Sequence, residues 1–302
     1  MKDRIQREDA LKHVYNCLEE GKAVTLEGIA GAVSISREEA THLMGNLEKQ
    51  EWLVMGKNGA ELTSSGRQYA LQIIRAHRVY EAYLAQETGV EEIKWHREAE
   101  VAEHRLSKEE VERLAERLGH PKFDPHGDPI PSEHGEIILL DGVCILACPV
   151  AWEGRVVHVE DEPESIYASI VAVGIAPDLQ IKILESGMHV LKIQAEGRVI
   201  EISKQMAANI LVTPLLKGQS AHLDVKRLSL LLQGEKGKIA GLATACRGKE
   251  RQRLLDWGFV PGAKVEAELG GPFGDPMAYR IKGTLVALRK EQSDHVLLES
   301  AE

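Results

Sequence analysis

The sequence predicts a multi-domain α+β protein whose helices precede its strands. Apolar residues recur at helical spacing from the amino terminus to about residue 120. The proline-rich stretch HPKFDPHGDPIP, residues 120–131, then reads as a loop. After it the apolar period changes from 3.6 to 2, which is typical of strands. A chain of 302 residues accommodates two to four domains, and we expect four: 1–75, 76–136, 137–215 and 226–302.

Composition is that of an ordinary globular chain, with 43% apolar and 28% charged residues. The amino terminus, MKDRIQREDALKHVY, lacks the apolar segment of a signal peptide. No apolar run approaches the length of a membrane span. Four cysteines are too few for a disulfide framework. We therefore expect a cytoplasmic protein.

The net charge of −10 argues at first sight against nucleic-acid binding, but the charge is unevenly distributed. Residues 1–75 hold 10 basic and 11 acidic side chains, and residues 217–302 hold 14 and 11. Residues 76–136, in contrast, hold 8 and 15. Clustered carboxylates repel one another and are better tolerated when a cation joins them.

Residues 1–75 have the element order of a winged helix-turn-helix domain. A helix over 5–20 is followed by a short helix capped by Thr25. A third helix begins at Ser36, and Glu39 completes a capping box. Asn58-Gly59 predicts a β-hairpin, and LTSSGRQYA opens a long fourth helix.

The third helix is the expected DNA-recognition helix. Its outward residues, and the hairpin tip, supply the candidate contacts to bases and phosphates: Ser36, Arg37, Thr41, His42 and Lys57. Such a domain binds operator DNA as a dimer, with recognition helices about 34 Å apart. The alternative is a winged helix that makes only protein contacts.

The stretch HREAEVAEH places metal-binding side chains on one helix face. Four of them lie at i, i+4, i+7 and i+8, and the preceding helix adds two more: His96, Glu100, Glu103, His104, His77 and Glu81. Oxygen and imidazole ligands without thiolate suit Mn²⁺, Fe²⁺ or Zn²⁺. The alternative is a solvated acidic face with surface histidines.

The β-rich part contains an internal repeat. GRVVHV matches GKIAGL, GIAPDLQIKI matches GFVPGAKVEA, and ISKQMAANILV matches LRKEQSDHVLL. The matched segments are 83, 84 and 86 residues apart and follow in the same order. We predict two small β-barrels of similar fold, with Thr213 to Val225 as the linker.

Residues 1–136 also resemble a known family. The matching stretches are IAGAVSISREEATHLMGNLEKQEWL, LTSSGRQYA, AHRVYEAYL, WHREAEVAEHRLS and FDPHGDPIP. They are similar to those of the DtxR/MntR family of metal-dependent transcriptional repressors. The resemblance implies that residues 76–136 form a helical metal-binding and dimerisation domain of a homodimer.

The resemblance implies a first metal site built from the first helix and an E-x-x-E-H cluster. Its ligands, carried over by motif, are Asp9, Glu100, Glu103 and His104. Oxygen ligands at Asp9 and Glu100 are closer to the manganese-sensing than to the iron-sensing branch. The manganese-sensing branch can have a further carboxylate one turn after Asp9, where this chain has Lys12.

The resemblance implies a second site formed by His77, Glu81 and His96. Members with a carboxy-terminal barrel can add groups from the proline loop and the barrel, which here are Asp124, His126 and one of Glu160 or Asp161. The ligand set of this second site is completed either by His96 or by Asp124. The alternative explanation for Asp124 and His126 is that they are turn residues of a proline-rich loop. We expect two sites per subunit, occupied by Mn²⁺ or Fe²⁺.

The two repeat units resemble FeoA domains, the small barrels of the ferrous-iron uptake system. The first barrel is expected to contribute Glu160 or Asp161 to a metal site. The second carries a basic run that could contact a protein partner: Arg247, Lys249, Arg251 and Arg253. The alternative for this run is a solvated face.

These observations predict a metal-dependent, DNA-binding transcriptional repressor that controls metal homeostasis through Mn²⁺ or Fe²⁺. The alternative is an iron-transport accessory protein that acts through its FeoA-like barrels by protein contacts and ignores DNA. We expect no enzyme, because the sequence contains neither a nucleophile motif nor a phosphate loop.

Overall fold

The computed structural model describes residues 2–56, 59–215, 223–271 and 274–299. The chain forms two compact units. The helical unit comprises Met1–Tyr83, His96–Asp124 and Pro129–Leu139, and the sheet unit comprises Leu84–Trp95, Pro125–Asp128 and Leu140–Glu302. The finer division into four domains stays a prediction.

Helices of the amino-terminal part follow the predicted order. They are α1 (Lys2–Glu19), α2 (Leu26–Val33), α3 (Arg37–Lys49), α4 (Ser64–Glu87), α5 (Trp95–Glu103) and α6 (Lys108–Arg117). A hairpin of β1 (Leu53–Gly56) and β2 (Gly59–Leu62) separates α3 from α4. Three helices, a hairpin and a fourth helix form the winged helix-turn-helix arrangement that the sequence predicted.

The predicted helix starts are confirmed by their hydrogen bonds. Gly28 donates its backbone N–H to the Thr25 hydroxyl at 3.0 Å. Ser36 and Glu39 form the complete capping box of α3. The hairpin prediction needs one correction, because Gly56 pairs with Gly59 and Gly59 therefore begins β2 instead of forming the turn.

The helical unit has one main hydrophobic core. Leu11 of α1, Ile29 of α2 and Leu47 of α3 are fully buried in it. A smaller cluster, which includes Val79 and Val111, joins α4 to α6. Because α1 shares a core with α3, the position of the first helix determines that of the expected recognition helix.

The sheet unit contains two six-stranded antiparallel sheets. The strands of the first are β3 (Val143–Cys144), β4 (Glu153–Val159), β5 (Gln180–Ser186), β6 (Val190–Ala195), β7 (Arg198–Ser203) and β8 (Ile210–Pro214). Those of the second are β9 (Val225–Arg227), β10 (Lys236–Leu242), β11 (Lys264–Gly270), β12 (Met277–Ile281), β13 (Thr284–Leu288) and β14 (Val296–Glu299). Each sheet has its own apolar core.

The internal repeat is confirmed by topology and register. The strand orders β3-β8-β4-β5-β6-β7 and β9-β14-β10-β11-β12-β13 are the same. Short helices also recur in the two copies: α7 (Glu164–Ala172) with α9 (Gly248–Asp256), and α8 (Lys204–Ala208) with α10 (Lys290–Ser293). Register shifts occur at equivalent places, in β4 and β10 and again in β5 and β11. We call the copies the first and second sheet domains.

The segment between the two sheet domains is shorter than the linker predicted from the sequence. Thr213 and Pro214 belong to β8, where they pair with β4, and Val225 begins β9. Residues 216–222, in the middle of the predicted linker, lie outside the described residues. Among the helices that are described, none has the length and apolarity needed to cross a membrane.

A buried carboxylate joins the two sheet domains. Glu196, in the turn between β6 and β7, lies 3.2 Å from the Arg227 guanidinium of β9. Its other oxygen accepts hydrogen bonds from the backbone N–H of Thr244 at 2.7 Å and from the Thr244 hydroxyl at 2.8 Å. Gly197 completes the contact, since a Cβ there would lie 1.9 Å from the carbonyl oxygen of Val225.

Replacing Glu196 by Ala is expected to lower the free energy of unfolding by about 3 kcal/mol, because the buried guanidinium of Arg227 loses its charge partner. Urea or thermal denaturation measures the change. Glu201→Ala is the matched control, because Glu201 is 62% exposed and pairs only across the surface with Lys192. Equal losses in the two variants would contradict the assigned role of the buried pair.

Candidate metal centre

The first cluster joins α1 to the turn after α5. Asp9, Glu103 and His104 offer ligand atoms that all lie within 4.8 Å of one another. The Nε2 atom of His104 lies 3.0 Å from a carboxylate oxygen of Asp9 and 3.6 Å from one of Glu103. Two carboxylates and an imidazole form a donor set that suits Mn²⁺, Fe²⁺ or Zn²⁺.

Glu8 is a buried carboxylate that the sequence analysis did not single out. It contacts Nδ1 of His104, the ring nitrogen that does not face Asp9. Glu8 is 4% exposed, and its carboxylate lies 2.7 Å from Nδ1 of His104. Its other oxygen accepts a hydrogen bond from the Tyr69 hydroxyl at 2.5 Å. A carboxylate on one ring nitrogen fixes the imidazole and directs the other nitrogen to a metal. Glu8 therefore orients Nε2 of His104 toward Asp9.

The charge around His104 favours a cationic partner. Burial lowers the pKa of its imidazole, but hydrogen bonds to Asp9 and Glu8 and the charge of Glu103 outweigh burial and raise the pKa to about 9. Burial likewise raises the pKa of the Glu8 carboxyl, and hydrogen bonds from His104 and Tyr69 reverse the effect, so that its pKa is lowered. The Glu8 carboxylate thus stays ionised and favours positive charge on the His104 side of the cluster.

The second cluster lies on α4 and α5. His77, Glu81 and His96 offer ligand atoms within 4.8 Å of one another. The buried Glu81 carboxylate lies 3.1 Å from Nε2 of His77, one helical turn away, and 3.6 Å from Nδ1 of His96. The two imidazole centroids are 4.9 Å apart. This set has the same donor chemistry as the first cluster.

Glu103 and Lys12 connect the two clusters. One oxygen of Glu103 lies 2.5 Å from Nδ1 of His77 and 2.9 Å from Nζ of Lys12. The same Lys12 nitrogen lies 3.2 Å from Nδ1 of His77. Burial raises the pKa of the Glu103 carboxyl, but the hydrogen bond with His77 and the charge of Lys12 prevail and lower it. An ammonium group thus already occupies the space between the clusters.

Glu100, the fourth residue implied for the first site, lies apart from Asp9, Glu103 and His104 in this arrangement. Its carboxylate is 54% exposed and lies 3.5 Å from Nε2 of His96. Glu100 and His96 are one turn apart on α5, which explains this pairing. Its role as a ligand to the first site stays a prediction.

The proline loop contributes residues to both units. Asp124, in the helical unit, is 7% exposed and lies 3.8 Å from the Arg78 guanidinium. His126, in the sheet unit, is 1% exposed, and its Nδ1 lies 3.6 Å from the Asp161 carboxylate. Glu160 instead lies 3.8 Å from Nε2 of His158. Of the two alternatives in the barrel, Asp161 is the one that faces His126.

The expected DNA-contacting residues lie on the exposed side of α3 and at its cap. Ser36 caps the helix, Arg37 lies 3.3 Å from Glu27, and the Thr41 hydroxyl donates to the carbonyl of Arg37. Ser36, Arg37, Thr41 and His42 are all exposed. Lys57 lies outside the described residues. This placement leaves the predicted contact face accessible and stays a prediction for DNA binding.

The fold and the two clusters define a winged-helix protein with histidine–carboxylate sites suited to divalent metals. Residues 63–132 match the family "Iron dependent repressor, metal binding and dimerisation domain", and residues 146–214 and 226–300 each match the FeoA domain. The helical part of the chain is thus similar to the DtxR/MntR family of metal-dependent repressors, and two tandem regions after it match the FeoA domain.

Named relatives agree with this family. The iron-dependent repressor IdeR of Mycobacterium leprae (strain TN) is 32% identical over 122 residues, which span 40% of this chain and 53% of that protein. The chain thus matches about half the length of this curated relative. A manganese-dependent transcriptional repressor solved in complex with manganese is 26% identical, with a TM-score of 0.62 over 68% of this chain and 100% of that chain. The IdeR of T. acidophilum, known from a crystal structure, is 28% identical, with a TM-score of 0.56 over 69% of this chain and 97% of that chain.

Replacing Glu8 by Gln is expected to weaken Mn²⁺ binding about 10-fold to 100-fold, because His104 loses the anionic partner of its Nδ1 atom. Isothermal titration calorimetry with Mn²⁺ measures the change. Asp3→Asn makes the same change of charge at an exposed position of α1 and serves as the control. Equal affinities of the Glu8 and Asp3 variants would show that Glu8 does not support the site.

Proposed function

We propose that this protein is a metal-dependent, DNA-binding transcriptional repressor that acts as a homodimer and controls the homeostasis of Mn²⁺ or Fe²⁺. The observation that carries the proposal is the first cluster, in which Asp9 of α1 lies beside Glu103 and His104 at the end of α5. The three residues would hold one divalent cation, with Glu8 orienting His104. A cation bound there supplies the positive charge that binds α1 to the α5 segment.

The cluster is connected to the recognition helix through packing. Asp9 and Leu11 are two residues apart on α1, and Leu11 shares the buried core with Ile29 of α2 and Leu47 of α3. A change in the position of α1 therefore displaces α3. Metal binding then selects one orientation of the DNA-binding helices from those the free protein samples.

DNA binding is assigned to the exposed side of α3. Arg37, Thr41 and His42 supply side chains that can contact bases or phosphates. Ser36, which caps the start of α3, is the candidate for a contact to a DNA phosphate. Glu38 and Glu39 on the same turn oppose non-specific phosphate binding. This balance of charge suits a regulator whose affinity for DNA depends on a second ligand.

Dimer formation is supported by the match of residues 63–132 to a family defined by metal binding and dimerisation. Two copies would present two α3 helices to successive major grooves about 34 Å apart. The operator is then expected to contain an inverted repeat.

The nature of the metal follows from donor chemistry and relatives together. Both clusters consist of carboxylates and imidazoles, which bind Mn²⁺ and Fe²⁺ in neighbouring affinity ranges. One structural neighbour was solved with manganese, and the curated relative is named as iron-dependent. We propose two sites per subunit, the first built on Asp9, Glu103 and His104 and the second on His77, Glu81 and His96. Within the sheet unit, His126 and Asp161 are further candidate ligands.

Cation-dependent DNA binding tests this function. Duplexes selected from a random library with the Mn²⁺-loaded or Fe²⁺-loaded protein are expected to bind about 5-fold to 150-fold more tightly with the cation than with a chelator. Glu103→Gln is expected to abolish most of that difference, because Glu103 contacts both clusters. Fluorescence anisotropy of the labelled duplex measures the affinities.

Glu98→Gln is the control for this experiment, since Glu98 is exposed on the same helix and carries the same charge. A protein that binds no duplex, or binds equally with cation and chelator, would favour the transport-accessory alternative, which rests on the FeoA domains. A normal cation response of Glu103→Gln would exclude the proposed site.

Lys12 is expected to limit the number of bound ions. Lys12→Glu removes the ammonium between Glu103 and His77 and adds a carboxylate there, so the variant should bind one more Mn²⁺ per chain than the wild type. Native mass spectrometry of the Mn²⁺-loaded protein gives the count. Lys22→Glu makes the same change of charge at a side chain that is 69% exposed and should leave the count unchanged. An unchanged count in Lys12→Glu contradicts this role of the lysine.

A further inference from the structure

The second FeoA domain contacts the loop that carries His126. Arg247, the residue that precedes α9, donates a hydrogen bond from its guanidinium to the carbonyl oxygen of Pro125 at 2.8 Å. The two residues are 122 positions apart in the sequence. Arg247 therefore differs from the other basic residues of the run. It is half-buried against the loop, whereas Lys249, Arg251 and Arg253 are exposed.

The first FeoA domain contacts the same loop through different atoms. The backbone N–H of Val159, at the end of β4, donates to the carbonyl oxygen of His126 at 2.9 Å. Gly127 approaches β4 so closely that a Cβ would lie 2.0 Å from the carbonyl oxygen of Val157, and its φ of +98° also favours glycine. The His126 ring packs edge-on against Tyr167 of α7, with centroids 5.1 Å apart.

The start of α9 also packs on the last turn of α4 and on the residue that follows it. A Cβ on Gly248 would lie 3.0 Å from the carbonyl oxygens of both Ala85 and Thr88. The glycine therefore allows α9 to approach this backbone, and the approach brings the neighbouring Arg247 to the loop. The contact of Arg247 with Pro125 is thus one part of a packed surface of the second domain.

Comparison of the two copies indicates that the contact is specific to the second domain. Pro163 occupies the position before α7 that Arg247 occupies before α9, so the first domain has no equivalent guanidinium. Conversely, Glu160 and Asp161 follow β4, whereas the residues that follow β10 are Ala243 and Thr244. The second copy lacks the acidic pair and has a hydrogen-bond donor to the loop.

We propose that Arg247 is a positioning residue through which the second FeoA domain holds the His126 loop in one conformation. The inference rests on the proposed function for its consequence, since the loop is expected to present His126 to a metal. A loop that is already ordered before the ion binds loses less conformational entropy on binding, and its affinity for the ion is higher. The second domain thus contributes to metal binding without contributing a ligand.

Hydrogen exchange of the metal-free protein tests the positioning directly. Arg247→Met keeps the aliphatic stem and removes the donor, and we expect about tenfold faster exchange at the amides of His126, Gly127 and Val159. Arg251→Met is the control, because Arg251 is exposed on α9, one turn after Arg247, and carries the same charge. Arg247→Lys should restore part of the protection. Thermal unfolding of each variant establishes that the second domain remains folded.

Titration of the same full-length variants with Mn²⁺ tests the consequence. We expect Arg247→Met to bind the ion held by His126 about tenfold less tightly, with the affinity of the ion at Asp9, Glu103 and His104 unchanged. Unchanged exchange in Arg247→Met would overturn the proposal. Faster exchange with both Mn²⁺ affinities unchanged would support positioning by Arg247 and would overturn the part of the proposed function that assigns His126 as a ligand.

Discussion

The buried carboxylate of Glu103 is the interaction on which the rest of the helical unit depends. One of its oxygens faces His104 and the first cluster, and the other contacts His77 and Lys12. A buried carboxylate is tolerated only when positive charge and hydrogen bonds surround it. Lys12 and the imidazoles of His77 and His104 supply that charge within the protein. A divalent cation at the first cluster would take the place of the proton on His104 and bring a higher positive charge to Glu103.

The short path from metal to DNA follows from the spacing of residues on one helix. Glu8, Asp9 and Lys12 face the clusters, while Leu11 of the same two turns is fully buried in the core shared with α3. The residues that face the clusters and the residue that packs against α3 lie in the same two turns of α1. A shift of α1 on cation binding would therefore reach α3 without passing through a loop. In the proposed function, α1 is the packed connection between the bound cation and α3.

Sequence patterns predicted what local chemistry determines. The caps at Thr25 and Ser36, the i, i+4 pair of His77 and Glu81 and the internal repeat all follow from spacing along the chain. Contacts between distant residues were not predictable in the same way. Glu8 lies 96 positions from His104, and its only local signal is a carboxylate on the apolar face of α1, three residues before Leu11. Arg247 and Pro125 carry no such signal.

The two FeoA domains keep one fold and differ where they meet other groups. Glu196 of the first domain binds Arg227 and Thr244 of the second, and the turn that carries it recurs at Lys282-Gly283 with the same left-handed backbone. Lys282 reverses the charge of Glu196, and Cys144 occupies the strand position equivalent to Arg227. Because Lys282 carries the opposite charge to Glu196 and Cys144 stands where Arg227 stands in the other copy, the contact joins the turn of the first domain to the strand of the second and cannot form in the reverse order.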